Sequence, residues 1–442
     1  MAEAVSTIYY RKARIFNLDG DSFDISGKIN SFDYFEDVLK QSVSAEIELN
    51  ASYSYVNQLP IRGGEKVEFD ILTSFGENGF QREEDTALYV YKVSKWTTVN
   101  GSESCKLHLT TLEHFSNEST RCMRKYNKLL ISEHVRDILE NTLQTKKDIQ
   151  IEPTANSYTF IGNTKKPFYT MTWLGSKSIS KVTEKSGVSG EGKYAENKGT
   201  AGFLLYENIR GFNFRSVDSL VANTQVQNNS SDLEPKFKYI YGGKIIEENK
   251  LYNALKIINF AFEKTIDLKQ SLPIGMYCNQ FYSYDTRKNI LSLYNYKLRD
   301  EIKGSPKLGN EETLVMKSEF TDIPTRTMFR TSDHGTLDSS GSLTESQSDS
   351  GGDAMLAKSA SRMNLLFTQA LNILVPLNIE LAVGDLIYCE FPRLEGEDKS
   401  EVDENMSGNY VIREVRHHFA AGQCTSSLKL MRDSYGLYGP NQ

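Results

Sequence analysis

The stretch ELAVGDLIYCEF, residues 380–391, repeats an earlier one, PIRGGEKVEFDI, residues 60–71. Each has a short turn, then glycine, an acid, one residue, Val or Ile, and an extended apolar run. Gly64 matches Gly384 at 384 − 64 = 320. The match continues downstream. Tyr89-Val90 in LYVYKV answers Tyr410-Val411 in NYVIREV at 410 − 89 = 321, and Gly101 answers Gly422 at the same offset. Cys105, Leu107 and Leu109 answer Ser426, Leu428 and Leu430, again at 321, while Val93 fits Val415 best, at 322. A one-residue excess near Glu414 that heals before Gly422 is what a β-bulge produces. Polar–apolar alternation alone is common to antiparallel strands. A shared offset across three strands and two turns points instead to internal duplication.

A fainter echo precedes each copy: KINSFDYFEDVLKQS (28–42) and KIINFAFEKTIDLKQS (256–271) share the Leu-Lys-Gln-Ser ending. The first 115 residues read as half-buried antiparallel strands. GEKVEFDI sets Val67, Phe69 and Ile71 on one face against Lys66, Glu68 and Asp70 on a wet one. SAEIEL and CKLHLTT alternate likewise, and NLDGDS (17–22) and VNGS (99–102) supply hairpin turns, because Asp-Gly and Asn-Gly tolerate positive φ. In the second copy Leu386, Ile387, Tyr388 and Cys389 leave neither face polar, so that strand is expected to be covered on both sides.

Between the copies the period changes. Ile131, Val135, Ile138, Leu139 and Leu143 fall at helical spacing, with Ser132 as cap and Glu133 in the first turn. A second helix is expected at PFYTMTWLGSKSIS, with Pro167 in its first turn. GFLLYENIRGFNFRSVDSL (202–220) reads as a hairpin and a short helix, and GMYCNQFYSYD with NILSLYNYKL as a further hairpin around DTRK. Residues 332–353 are rich in Ser, Gly and Asp and are expected to form a mobile loop; LEGEDKSEVDENMSG is a second, acidic loop. The fold class is therefore α+β, predominantly β. Two small antiparallel β-barrels or sandwiches are expected at 5–115 and at 250–296 plus 362–436. A small helical domain (116–200), a hairpin-rich connecting segment (201–249) and an insertion (297–361) complete the chain.

The 442 residues, 39% hydrophobic and 25% charged, have an ordinary globular composition, and 24 Tyr and 22 Phe favour strands and interfaces. A net charge of −7 argues against nucleic-acid binding, which needs a basic stripe, yet suits a surface that nucleic acid passes without sticking. The five cysteines lack metal or redox spacing and read as buried thiols in a reducing compartment. No signal peptide and no membrane span is read, so folding in a cytoplasm is expected.

No catalytic, cofactor-binding or metal-binding residue is singled out, and no cofactor is expected. His417-His418 is the one histidine cluster, and neighbours on a strand face opposite ways, so strand surface and flank is the reading. GVSGEG (187–192) lacks the features of a phosphate loop, and DGDSFD (19–24) lacks those of an EF-hand.

GFLLYENIRGFNFRSVDSL, PFYTMTWLGSKSIS and the closing LNIELAVGDLIYCEFP, SGNYVIREVRHHF and SSLKLMRD resemble, in order, the baseplate hub protein of contractile-tailed (myovirus) bacteriophages. The resemblance implies a homotrimer whose chains each carry two tail-tube-like β-barrels. Six barrels would then ring the DNA channel and join the six-fold tail tube to the three-fold central spike. It implies a structural virion protein of the tail baseplate, synthesised in the host cytoplasm, with tube, spike and other baseplate proteins as partners, without membrane insertion and without catalysis. The duplication suits such a symmetry adaptor. A type VI secretion-like hub module is the related alternative; its chains continue into a spike, whereas this sequence stops at Gln442, so a separate spike protein is expected. A wall-degrading tail enzyme or a host-binding adhesin are readings of other classes.

Overall fold

The structure, a computed structural model, describes residues 8–52, 61–73, 79–99, 102–181, 202–222, 224–225, 230–231, 235–242, 253–264, 267–286, 289–301, 306–309, 318–331, 352–393, 402–422 and 424–437. The alternating segments at the start become β1 (Ile8–Phe16), β2 (Ser22–Asp24), β3 (Ile29–Asp37), β4 (Ser44–Ser52), β5 (Lys66–Thr73), β6 (Phe80–Arg82), β7 (Leu88–Val99) and β8 (Ser102–Thr111). They pair in the order β3-β4-β8-β7-β5-β1-β2, with β6 beside β5. The inward set Ala45, Ile47, Leu49, Val67, Phe69, Ile71, Leu107 and Leu109 is buried, as period two requires. The polar face of β5 is less wet than the alternation implies. Glu68 is buried between Lys12 at 2.7 Å and Lys66 at 2.8 Å, and Asp70 holds Arg11 at 2.9 Å, so charge pairing across β1 and β5 replaces water.

The middle segment mixes helices and strands. It comprises α1 (Leu112–Ser119), β9 (Lys125–Leu130), α2 (Ile131–Asp137) running into a π turn at Ile138–Thr142, β10 (Ile149–Ile151), β11 (Ser157–Ile161) and α3 (Pro167–Gly175). All five apolar residues at helical spacing, 131 through 143, are buried, and Pro167 opens α3. Ser132 is not the cap. The helix starts directly off β9, so Leu130 occupies that place, and the Glu133 carboxylate accepts its N–H at 3.0 Å. Next come β12 (Phe203–Asn208), β13 (Gly211–Ser216) and α4 (Val217–Val221), the expected hairpin and short helix, and a two-residue ladder of β14 (Thr224–Gln225) with β15 (Ser230–Ser231).

The remainder holds β16 (Phe237–Tyr241), β17 (Lys256–Ile257), β18 (Asn259–Lys264), α5 (Leu268–Ser271), β19 (Cys278–Asp285), β20 (Ile290–Lys297), β21 (Arg326–Thr331), α6 (Gly352–Leu365), β22 (Gln369–Pro376), β23 (Leu386–Glu390), β24 (Gly408–Ala420) and β25 (Thr425–Arg432). Seven of these strands run β18-β22-β25-β24-β23-β16-β17. The β19–β20 hairpin forms where DTRK predicted a turn, but it pairs with β21 in a sheet of its own. Its inner side chains, including Phe281 and Tyr296, share an apolar cluster with Ala357 and Leu365 of α6.

The two halves carry the same register. Across β3, β4, β8 and β7 one row reads Phe32, Ile47, Leu107, Val93; across β18, β22, β25 and β24 the matching row reads Phe260, Ile373, Leu428, Val415. The strand part of the faint echo is in register, since 260 − 32 and 256 − 28 both equal 228, whereas the shared Leu-Lys-Gln-Ser ending lies at 268 − 39 = 229 and is helical only in the second copy. Lys66↔Tyr89 in the first half answers Leu386↔Val411 in the second. Tyr89 therefore corresponds to Val411, not to Tyr410. The offset on this strand is 322 up to Ser94, because both copies bulge at the same place, Tyr91 and Arg413. The healing lies in the first copy, where a second irregularity between Ser94 and Thr97 adds one residue and returns the offset to 321. A bulge explains the excess, but at Lys95-Trp96 and not near Glu414.

The opening phrase is the same device twice. Gly64 (φ +93°) donates its N–H to Val90 at 2.7 Å and Gly384 (φ +86°) to Ile412 at 2.9 Å, both in the left-handed region that glycine adopts without strain. The acid after each glycine accepts the N–H three residues back: Glu65 from Arg62 at 2.5 Å, Asp385 from Ala382 at 3.2 Å. The expected two-sided cover of β23 is present. Leu386, Ile387 and Cys389 are at most 1% exposed and Tyr388 is half-buried; Leu204, Tyr206 and Leu220 of the hairpin segment join the same apolar cluster.

One feature departs from the expected pair of barrels. β24 pairs with β3 over seven positions, Glu414↔Asp37 to Ala420↔Ser31, so the halves form one continuous 15-stranded sheet. Among the described residues hydrogen bonding closes neither half, because β24 uses its outer edge on the other half's β3. The turn centre at 100–101, GVSGEG, the Ser-rich segment 332–351 and most of the acidic loop lie outside the described residues.

Candidate functional site

The β3–β24 joint is clamped by a buried polar cluster. Glu36, on β3, is a carboxylate in the core. It accepts the N–H of Ile209 at 2.5 Å, the N–H of Val383 at 3.0 Å and the Tyr34 hydroxyl at 3.1 Å. One side chain of the first half thus ties the β12–β13 turn and the second half's Gly-Asp turn together. Burial pushes Glu36 up to about 7, against these hydrogen bonds and the Arg82 charge. Arg82, fully buried on β6, meets the Tyr34 hydroxyl and ring.

The β12–β13 turn is held from all sides. Asn208 donates to Val383 O at 3.3 Å, and the Arg210 guanidinium grips Asp385 through two nitrogens, at 2.7 and 2.6 Å. A bidentate fork of this kind fixes orientation as well as distance. Glu207 accepts from Val43 N at 3.3 Å and Thr111 Oγ1 at 3.0 Å, and pairs with Lys147 at 2.7 Å. Lys147 also pairs with Glu113 at 2.5 Å. Elsewhere Arg362 of α6 bridges Asp218 and Asp433, at 2.5 and 2.7 Å. These groups bond to one another and to backbone N–H groups, with Arg82 Nε and Asp218 Oδ2 left without a hydrogen-bond partner among the described residues, so the arrangement fixes geometry.

The histidine pair divides as adjacent strand residues must. His418 meets Asp33 at 2.7 Å on one side. His417 is not on the strand surface: it is buried, 2.9 Å from Ser426 Oγ and 3.2 Å from Leu381 O, and lies parallel to the Tyr34 ring. Burial pushes the His417 imidazole down to about 4. Its ordinary value is 6.5, so the unfolded chain takes up the proton first on acidification. The stability tied to a neutral His417 is present above pH 6.5 and lost as pH falls toward 4. His417→Asn should therefore raise the urea midpoint at pH 5 relative to that at pH 7, compared with the unsubstituted chain. Glu36 acts in the opposite direction, losing stability as pH rises from 4.5 toward about 7, so Glu36→Gln should steepen the acid loss.

Two surfaces remain unpartnered among the described residues. The outer edge of β18 and the outer edge of β7 beyond Tyr89 pair with no strand. The sheet of β19–β21 turns Leu291, Leu293 and Phe329 outward; Phe329 is 67% exposed, which is unusual for a large apolar side chain. Among those residues no group of three or more His, Cys, Asp or Glu is placed to hold a metal ion, no helix is long and apolar enough to cross a membrane, and the five cysteines are buried free thiols.

No protein-family model and no curated protein matches the sequence. Solved structures do match over nearly the whole chain. The tail protein from Neisseria meningitidis MC58 superposes with a TM-score of 0.51 at 10% identity, covering 96% of each chain. The 43 kDa tail protein of prophage MuSo2 from Shewanella oneidensis also gives 0.51, at 9% identity, over 96% of this chain and 98% of that one. This is a phage tail-protein fold. The prophage tail protein gp18 from Listeria monocytogenes EGD-e matches over 96% of this chain at 10% identity, with a TM-score of 0.47.

The residues that clamp the tail-protein fold together were not singled out from sequence. Arg210 and Asp385 do sit inside the two most distinctive stretches, NIRGFNF and AVGDLI, so a signal existed for them. Lys147, Glu36 and Arg82 carry none, because apart from Tyr34 beside Glu36 their partners lie 34 to 347 positions away along the chain.

Proposed function

We propose that this chain is the structural hub of a contractile phage tail baseplate. Three copies form a ring that presents six tube-like units, join the tail tube to the central spike and surround the channel through which DNA leaves. The two halves are duplicated tube modules, with the segment from α1 to α4 as a bracket between them. The observation that carries this reading is the duplicated register, two five-strand units fused edge to edge through β3 and β24. A chain with two equivalent units converts a three-fold assembly into six-fold contacts. The tail-protein fold supports the setting, and polar clusters that tie distant backbone turns together suit a scaffold without a catalytic role. The exposed row Leu291, Leu293 and Phe329 is a surface for a partner, a neighbouring baseplate protein or the spike, to cover.

Light scattering on the chain, alone and with tail tube and spike proteins, tests the reading. A mass of three chains is expected. A stable monomer with both partners present would overturn it. The same module in a type VI secretion-like machine is the second reading, favoured by the same duplicated register, and the identity of the spike that co-purifies separates the two.

A further inference from the structure

We infer that the folded chain modifies itself: Lys147 Nζ and Glu207 Cδ join in an amide, with Glu113 as proton shuttle and the loss of one water. The inference is independent of the hub reading. It is a single event within one chain, with no substrate and no turnover.

The three side chains come from separate elements: Glu113 from α1, Lys147 from the connection before β10, and Glu207 from β12. They meet in the interior, 6%, 2% and 0% exposed. Lys147 Nζ lies 2.7 Å from Glu207 Oε1 and 2.5 Å from Glu113 Oε2, with the Phe212 ring 5.7 Å away. An ion pair needs one carboxylate, and this lysine has two, which are held differently. Glu207 turns Oε1 to the amine, while its Oε2 accepts the Val43 N–H at 3.3 Å and the Thr111 hydroxyl at 3.0 Å. Two fixed donors on one carboxyl oxygen stabilise the charge that gathers there when a nucleophile adds to the carbon. Glu113 is anchored through Oε1 by the Thr145 hydroxyl at 2.6 Å, which leaves Oε2 on the amine as a base. Glu207 is therefore the electrophile and Glu113 the shuttle. The reacting carbon stands one bond beyond Oε1, at the roughly 3–3.5 Å of a near-attack arrangement. Water is a product, so an interior closed to it favours the amide and protects it from hydrolysis.

The atoms balance without a co-reactant. The ammonium first passes a proton to Glu207 Oε1, which leaves a neutral amine beside a neutral carboxyl. The amine lone pair forms the Nζ–Cδ bond, and the carbonyl electron pair moves onto Oε2, where Val43 and Thr111 hold it. Glu113 Oε2 takes a second proton from Nζ and hands it to the Oε1 hydroxyl. The Cδ–Oε1 bond breaks, Oε1 leaves as water and the carbonyl at Oε2 re-forms. Glu113 ends as it began, and Nζ keeps one hydrogen as the amide N–H. The product ties the start of the bracket to the hairpin that covers β23, across 60 positions of chain. Unlike an ion pair, it persists when the fold opens.

Mass spectrometry of the denatured full-length chain tests the bond. The intact mass should fall one water short of the sum of the residues, and digestion should release a branched peptide joining Lys147 to Glu207. Lys147→Ala and Glu207→Ala should each restore the full mass. Glu113→Gln keeps the shape and lacks the base, so its cross-linked fraction, followed over time after refolding, should grow about a hundredfold more slowly. A cooperative denaturant transition shows that this variant is folded when it is read. The unsubstituted chain decides the bond itself, whether or not the variants fold. Full mass in that chain, folded and kept for days at neutral pH, overturns the proposal. So does a lost water that maps elsewhere, such as a succinimide at Asp19-Gly20. A branch from Lys147 to Glu113, or Glu113→Gln cross-linking at the original rate, overturns the roles assigned to the two glutamates.

Discussion

Lys147→Ala is expected to lower the unfolding free energy by about 3–5 kcal/mol, the usual cost of removing one partner from a buried ion pair. The Lys147, Glu113 and Glu207 side chains are 2%, 6% and 0% exposed. With the ammonium gone, two carboxylates lose their ion-pair partner in the interior, and only the more distant Arg82 charge still acts on Glu207. Glu207 keeps only the Val43 N–H and the Thr111 hydroxyl, and Glu113 the Thr145 hydroxyl. Taking up a proton or admitting water relieves part of the strain at the cost of packing in the bracket. Lys147→Met separates charge from stem: it keeps the apolar length and loses the charge, so its loss should be nearly as large. Adding Glu207→Gln to Lys147→Met should recover part of it, because one of the stranded charges disappears. Denaturant titrations measure all three. A loss under 1 kcal/mol for Lys147→Ala would show that the cluster is already hydrated and is not what holds the bracket.

Gly384→Ala should destabilise the chain more than Gly64→Ala, although the two glycines are equivalent positions of one duplicated turn. At Gly64 a methyl group meets nothing nearer than Leu18 Cδ2 at 3.6 Å, so the cost is the left-handed backbone alone, about 1–2 kcal/mol. At Gly384 the same backbone penalty applies, and the methyl would overlap the Tyr206 hydroxyl and lie 3.1 Å from Cζ, within the hairpin that covers β23. Overpacking of that kind adds about 1–3 kcal/mol. Tyr206→Phe combined with Gly384→Ala should recover part of the difference, since the hydroxyl is the nearest obstacle. Equal losses at the two glycines would mean that the hairpin yields freely and does not brace the second turn.

The pair shows where sequence reading stopped. Both glycines were legible, because a Gly-acid turn before an alternating strand needs a left-handed residue followed by a side chain that accepts its own turn's N–H. The strands were legible for the same reason: period two with one buried face is a local property, and Phe32, Ile47 and Leu107 announce it within a few residues. So were α3, through Pro167, and the β12–β13 hairpin, through the break at Ile209-Arg210-Gly211. Equivalence between the copies came out one residue off at Tyr89 and Tyr410. Two bulges at matching places do not alter an offset, whereas a third, at Lys95-Trp96, does, and sequence does not say which strand carries the extra residue.

The sequence by itself determined the repeated unit: the glycine turns, the alternating strands and the order in which they recur. Only the tertiary structure decided what joins the units. The β3–β24 pairing, the reach of Glu36 to Ile209 and Val383, and the burial of Lys147 between Glu113 and Glu207 all bring together residues that local pattern treats as ordinary. The physical reason is range. Backbone preference and amphipathic period act over a few residues, while a buried charge is tolerated only where distant parts of the chain converge to satisfy it. A single glutamate at position 36 looks like any polar residue of a strand until the turn holding Val383 closes over it.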